Sequence, residues 1–274
     1  MLELICDQEQ TLKTFTENNY AQASFFWGQL LKSKDIKVNG KKTGTDILLQ
    51  AGDSVCYYLT QKQADKPAFF EVYTDENFLI VDKESGVNAE AVYAELRRRN
   101  AECKFIHRLD RNTRGLMVFA LNEKAETSLL NAFKNRLVEK KYHALCLGNL
   151  KKQTDILTAY LKKDEKNALV KIYDKKTDGA EKIVTEYAVL NKDGAFSKAE
   201  ITLHTGKTHQ IRAHLAHISC PIVGDMKYGD TIQNKKYGVS RQCLVAKTLR
   251  FCLDGEFAYM NEKIFSSRFE AELL

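Results

Sequence analysis

Asp110 stands in the stretch "FIHRLDRNTRGLMVFAL" (105–121) with Arg108, Arg111 and Arg114 close by, a charged turn set directly against an apolar run. Cations at this spacing would hold a carboxylate ionised even where water is partly excluded. Leu116 to Leu121 reads as a buried strand, so the turn rides on a core element. A solvated turn with incidental ion pairs would look the same in isolation. The second polar concentration is "LHTGKTHQIRAHLAHISCPIVGDMKYG" (203–229). There Ile211, Leu215 and Ile218 recur at helical spacing over Thr208 to Ile218, Arg212 falls off that stripe, and Pro221 stops the helix. His204, His209, His214 and His217 invite a metal reading, yet the spacing is not His-Glu-x-x-His and no carboxylate or cysteine inside the helix completes a set. Hydrogen-bonding histidines and a plain turn at Gly224-Asp225 are expected, with no metal.

The elements that must position these residues fall into two groups. Near the start, "IKV" (36–38) before Asn39-Gly40 and "DSVCYYL" (53–59) read as strands, with Thr11 to Leu31 as a helix ahead of them. The polar run "QKQADKPA" (61–68) reads as a linker that closes this small module. Beyond it, "FFEVY", "FLIVDK", "KKYHALCLG", "ALVKIYD", "KIVTEYAVL" and "SKAEITLH" are β-like, while Asn88 to Arg99 and Glu123 to Arg136 have helical spacing, the latter placing Ala125, Leu129, Ala132 and Phe133 on one side. Neighbouring strands of this kind predict an α+β fold, a largely antiparallel mixed sheet with flanking helices.

Composition narrows the class. At 274 residues the chain can bury a substantial core. No apolar run is long enough to cross a bilayer, and "MLELICDQEQ" lacks the basic start and apolar core of a signal peptide, so a cytoplasmic protein is expected. Seven scattered cysteines without a Cys-x-x-Cys pair argue for reduced thiols. The net charge of +6 lies beyond the charge-balanced first 62 residues, and basic pairs recur beside Tyr93, Tyr142, Tyr160 and Tyr173, a mixture suited to phosphates and stacked bases.

Taken in order, "HRLDRNTRGLMVFAL" and "TGKTHQIRAHLAHISCPIVGDMKYG" resemble the paired signatures of the RluA family of RNA pseudouridine synthases. Supporting matches run through residues 69–252: "EVYTDENFLIVDKESG", "KKYHALCLG", "EKIVTEYAVL" and "RQCLVAKTLRF". Residues 1–60 are similar, more faintly, to the alpha-L RNA-binding module. The resemblance implies a module at 1–62 and a catalytic domain at 63–274. It implies isomerisation of specific uridines to pseudouridine in ribosomal or transfer RNA by a monomer without a cofactor or protein partner. The reaction breaks the bond from ribose C1′ to uracil N1, turns the base, and rejoins it through carbon 5. A non-catalytic RNA-binding assembly factor on the same fold is the alternative, and intact Asp110, Tyr142 and Arg212 speak against it.

By this resemblance Asp110 is the catalytic carboxylate. It attacks the uracil ring, attacks the ribose, or removes a ribose proton, and each route requires it ionised. Arg212 would pair with Asp110, and Tyr142 would stack on the target uracil and take the proton from carbon 5. Arg108 would fill the gap left by the flipped uridine, because the reacting atoms are inaccessible inside a helix. Leu244 would line the pocket, and Arg111, Arg114, Lys207 and His209 would complete the RNA contacts. The chain departs from the family's usual serine at Arg114, arginine at Lys207 and histidine at Val245. A phosphate beside the flipped uridine is the expected partner of Arg114.

Overall fold

After a short strand β1 (Leu2–Ile5) and the extended pair β2 (Gln10–Thr11), the Thr11 hydroxyl accepts the amide of Thr14 and starts the first helix, α1 (Leu12–Asn19). The single helix expected over Thr11 to Leu31 is in fact three: α1, α2 (Ala21–Phe25) and α3 (Trp27–Ser33). The break at Tyr20 follows Asn18-Asn19, whose short amides compete with helical bonding, and Asn19 Nδ2 donates to the Phe15 carbonyl. The computed structural model describes residues 1–164 and 168–273. Strands β3 (Ile36–Val38), β4 (Lys41–Thr43), β5 (Leu48–Leu49) and β6 (Ser54–Tyr57) follow, giving an antiparallel sheet in the order β1-β6-β3-β4 and a β2-β5 pair. Leu12, Phe15, Leu30, Ile36, Val55 and Tyr57 form its core, and the Tyr57 hydroxyl lies 2.8 Å from Thr16 Oγ1.

The stretch that reads as a linker is instead structured. Thr60 and Gln63 form a reciprocal capping box on α4 (Gln61–Ala64), and Lys66 sits 4.0 Å over the Phe25 ring. Then come β7 (Phe69–Thr74), β8 (Phe78–Lys83), α5 (Ala89–Arg99), β9 (Lys104–Phe105) and β10 (Arg114–Ala120). Every residue of β8 and β10 is buried, as their near-continuous apolar runs predict.

The chain forms two compact units, Met1–Arg111 with Met117–Glu126, and Asn112–Leu116 with Thr127–Leu274. The chain passes between these units after Arg111, within β10 after Leu116, and after Glu126. The second unit holds most of α6 (Glu123–Lys134), then β11 (Val138–Leu147), β12 (Thr154–Asp164), β13 (Leu169–Tyr173), β14 (Glu181–Asp193), β15 (Phe196–Leu203), α7 (Gln210–His217), α8 (Thr231–Lys236), β16 (Leu244–Phe251) and β17 (Ile264–Ser266). Its strands run β13-β12-β14-β15-β11-β16-β10. The β11, β12, β13, β14 and β15 pairings are antiparallel, and β10 meets β16 in parallel, which makes the sheet mixed.

That parallel contact depends on a glycine. Gly115, paired with Ala246, has φ +116, and a Cβ there would lie 2.3 Å from the Ala246 carbonyl oxygen. Backbone meets backbone at this point, so no side chain can rotate away. Gly115→Ala is expected to cost roughly 3 kcal/mol or more, read as a lowered melting temperature.

Candidate active site

Asp110 lies on the turn between β9 and β10, and the backbone of that turn is clamped. Arg111, the next residue, accepts at its carbonyl from the Gly86 amide at 2.9 Å and from Lys83 Nζ at 3.1 Å. Lys83 ends the buried strand β8, is itself 0 % exposed, and donates also to the Glu84 and Val87 carbonyls, both at 2.9 Å. Three carbonyls thus match the three N–H groups of an ammonium. Burial pushes Lys83 down to about 7, and the Asp110 carboxylate is the strongest influence holding it up. Sequence reasoning passed over Lys83; the signal was a lysine closing an all-apolar run, where a cation needs partners.

On the same unit, Arg108 is exposed and bridges to Glu90 of α5 at 3.0 Å, which leaves its guanidinium accessible. Arg111 has partners of its own. Its guanidinium is engaged inside the protein, with the Gly86 carbonyl at 3.1 Å, with Glu17, and with Ser24 Oγ at 3.4 Å. His107 accepts the Val118 amide on Nε2 at 3.1 Å, tying the start of the turn to β10.

The second unit carries the remaining residues. Tyr142 of β11 is buried and pairs in register with Ala246 and Ile201. Leu244 pairs with Ala144, two residues from Tyr142, so strand alternation puts Leu244 and Tyr142 on one face. Arg212 of α7 is 5 % exposed and grips the Asp225 carboxylate: Nε donates to Oδ2 at 2.7 Å and Nη2 to Oδ1 at 3.0 Å. This corrects the reading of Asp225 as a plain turn residue. Burial opposes its charge, yet the Arg212 hydrogen bond and charge, with the amides of Lys227 and Tyr228, hold its carboxyl below the ordinary value.

Tyr228, also unmarked by sequence reasoning, extends this network. Its ring lies 5.2 Å from the Arg212 guanidinium, and its hydroxyl lies 2.9 Å from His209 Nδ1 and accepts the Val170 amide at 2.8 Å. Lys207 pairs with Glu181 at the surface. The other histidines of the stretch have separate partners: His204 with Glu186, His214 with Thr185 and His217 with Asp174. Burial drives His214 down to about 4, so its ring is neutral. Among the described residues no three His, Cys, Asp or Glu side chains converge as metal ligands do.

Arg114 is placed differently from the phosphate-contacting position expected of it. It is 6 % exposed; its guanidinium lies 4.5 Å over the Phe269 ring and Nη2 donates to the Glu270 carbonyl at 3.0 Å. Glu270 is in turn held by Lys247 and Lys198, at 2.6 and 2.9 Å, and its pKa is lowered to about 2: burial opposes the charge, and the two lysines outweigh it. Arg114 therefore fastens the C-terminal segment against β10. Arg114→Ser should leave the salt dependence of RNA affinity unchanged and lower the melting temperature, by about 1–3 kcal/mol of lost buried contacts.

A sequence model of the family described as RNA pseudouridylate synthase matches residues 63–217. The chain belongs to this family. The resemblance to its RluA branch, read from the two polar stretches, holds. The chain is 29 % identical over 274 residues to ribosomal large subunit pseudouridine synthase C of Rickettsia conorii, covering 89 % of this chain and 86 % of that one. It is 32 % identical over 206 residues to tRNA pseudouridine synthase C of Vibrio cholerae, covering 66 % and 84 %. The solved structure of human RNA Pseudouridylate Synthase Domain Containing 1 matches with a TM-score of 0.61 at 28 % identity, over 68 % of this chain and 79 % of that one. The synthase is thus an RNA-modifying isomerase, converting uridine to pseudouridine. No helix among its described residues is long and apolar enough to cross a membrane.

Proposed function

We propose that the synthase modifies specific uridines of structured RNA, ribosomal or transfer, with Asp110 as the catalytic carboxylate. The observation that carries this reading is the clamped Asp110 turn, held by Lys83 and Gly86 on a fully buried strand. Breaking the C1′–N1 bond and reforming it through carbon 5 demands an ionised carboxylate with little positional freedom, and a fixed backbone supplies that without reorganisation. Tyr142 stacks on the flipped uracil and takes the carbon 5 proton. Arg212, seated on Asp225, supplies a fixed cation for the carboxylate. Leu244 lines the pocket, exposed Arg108 enters the vacated RNA stack, and Lys207 and His209 contact flanking RNA.

The substrate class is supported by the names of the relatives, which act on the large ribosomal subunit or on tRNA. Residues 1–62 serve as an RNA-binding module through the lysines of the Lys32 to Lys42 segment, of which Lys32, Lys34, Lys41 and Lys42 are exposed, and residues 63–274 form the catalytic domain. The enzyme works as a cytoplasmic monomer without a cofactor. Pseudouridine has the mass of uridine, so the test is carbodiimide mapping of cellular RNA with and without the protein. Sites that vanish on its removal and return with the wild-type chain establish the activity and its target. An unchanged map in both RNA classes overturns the substrate assignment.

A further inference from the structure

We infer that Glu17 is a positioning residue, which acts from α1 through Arg111 to fix the turn presenting Asp110. The inference rests on the reading of Asp110 as the catalytic carboxylate. Arg111 shares a peptide bond with Asp110, so any torsional freedom at Arg111 displaces the carboxylate. The Arg111 main chain and side chain both close on Gly86: its carbonyl accepts the Gly86 amide at 2.9 Å, and its Nε donates to the Gly86 carbonyl at 3.1 Å. That leaves the two terminal nitrogens of the fork. Nη1 meets the Glu17 carboxylate and Nη2 reaches Ser24 Oγ at 3.4 Å.

Both partners lie on the helices ahead of β3, at separations of 94 and 87 residues from Arg111. The same helices touch the Gly86 turn directly. Gly86 has φ +84, and the position a Cβ would take there is 3.7 Å from the Phe25 ring. Asn88 Nδ2 donates to Asn18 Oδ1 at 2.9 Å, and Arg98 Nη1 to the Asn19 carbonyl at 3.0 Å. These contacts make α1 and α2 a support for the catalytic turn as well as part of an RNA-binding module. The Arg111–Glu17 pair is partly shielded, at 38 % and 18 % side-chain exposure, so water screens it less than a surface pair. An arginine beside a catalytic turn would ordinarily be free for phosphate, and here Glu17 engages it.

The test uses the full-length protein with four variants: Glu17→Ala, Glu17→Gln, Arg111→Met, and Glu17→Ala combined with Arg111→Met. Single-turnover rates at saturating RNA, RNA affinity by filter binding and melting curves are measured for each. Glu17→Ala is expected to lower the saturating rate about tenfold while changing affinity less than about twofold, the signature of a displaced reacting group. The combined variant should be no slower than Arg111→Met alone, because the two residues act as one device. Should Glu17→Ala fail to fold, the isosteric Glu17→Gln gives the same readout for the charge. A normal saturating rate with weakened affinity overturns the inference, as do losses that multiply in the combined variant. Wild-type protein without turnover would instead sink the proposed function, so the two failures are distinct.

Discussion

Asp110→Asn is expected to fold, bind RNA with near-wild-type affinity, and form pseudouridine at a rate reduced by a factor on the order of 10³ or more. The amide has nearly the shape of the carboxylate, and the turn beneath it is held by main-chain bonds of Arg111 that do not involve the Asp110 side chain. What is lost is the charge and the lone pairs that all three chemical routes require. Removal of that charge also reaches Lys83, since Asp110 is the chief influence raising its pKa against burial. Lys83 in the variant should therefore titrate below its wild-type value of about 7. The sign follows from linkage: a lysine depressed in the folded state binds fewer protons there than in the unfolded chain, so stability rises with pH from the folded value up to the ordinary 10.5. In Asp110→Asn the foot of that rise moves to lower pH. Melting curves between pH 5 and 9 together with carbodiimide assays check both statements, and turnover at a near-normal rate would remove Asp110 from the chemistry.

Local pattern carried the parts of this protein that depend on neighbours in sequence. The continuous apolar run after Gly115 gave a buried strand, and Ala125, Leu129 and Ala132 gave the buried side of α6. The turn carrying Asp110 was legible as well, because its polar residues and the core strand that follows lie within a few residues of each other. Features that depend on distant partners were not. Arg114 reads as a surface cation beside a polar turn, yet its carbonyl acceptor on Glu270 is 156 residues away, and only the folded sheet brings the C-terminal segment to β10. Tyr20 lies inside an apparently helical window, and the competing side-chain bond of Asn19 decides where the helix ends. The polar composition of residues 61–68 suggested a linker because short capped helices carry little hydrophobic periodicity. Asp225 was misread for a different reason. Gly224-Asp225 does have turn composition, and the turn exists, with the Lys227 and Tyr228 amides donating to Asp225 Oδ1, but its carboxylate points at a helix that precedes it.

That pairing sets the second large effect. Arg212→Met should lose about 3–5 kcal/mol of stability, because it strips the bidentate partner from a carboxylate that is 0 % exposed and leaves a buried charge to the Lys227 and Tyr228 amides. Asp225→Asn, which the sequence alone would rank as silent, should be destabilised too, since its amide cannot compensate the buried guanidinium. Removing both charges together should cost less than the sum of the single changes, because neither is then left unpaired. The pH dependence separates this account from a simple cavity. In the wild type, Asp225 has a depressed pKa, so its contribution is fully present above the ordinary 3.8 and is lost as pH falls through the folded value. In Arg212→Met burial is the dominant influence left and raises that pKa, so the folded state takes up a proton more readily than the unfolded chain. The stability gap between the two proteins should therefore be widest near neutral pH and narrow toward acid. If Arg212 also serves Asp110, the saturating rate per folded molecule will fall in Arg212→Met far more than in Asp225→Asn. Equal rates per folded molecule in both variants would confine Arg212 to the scaffold.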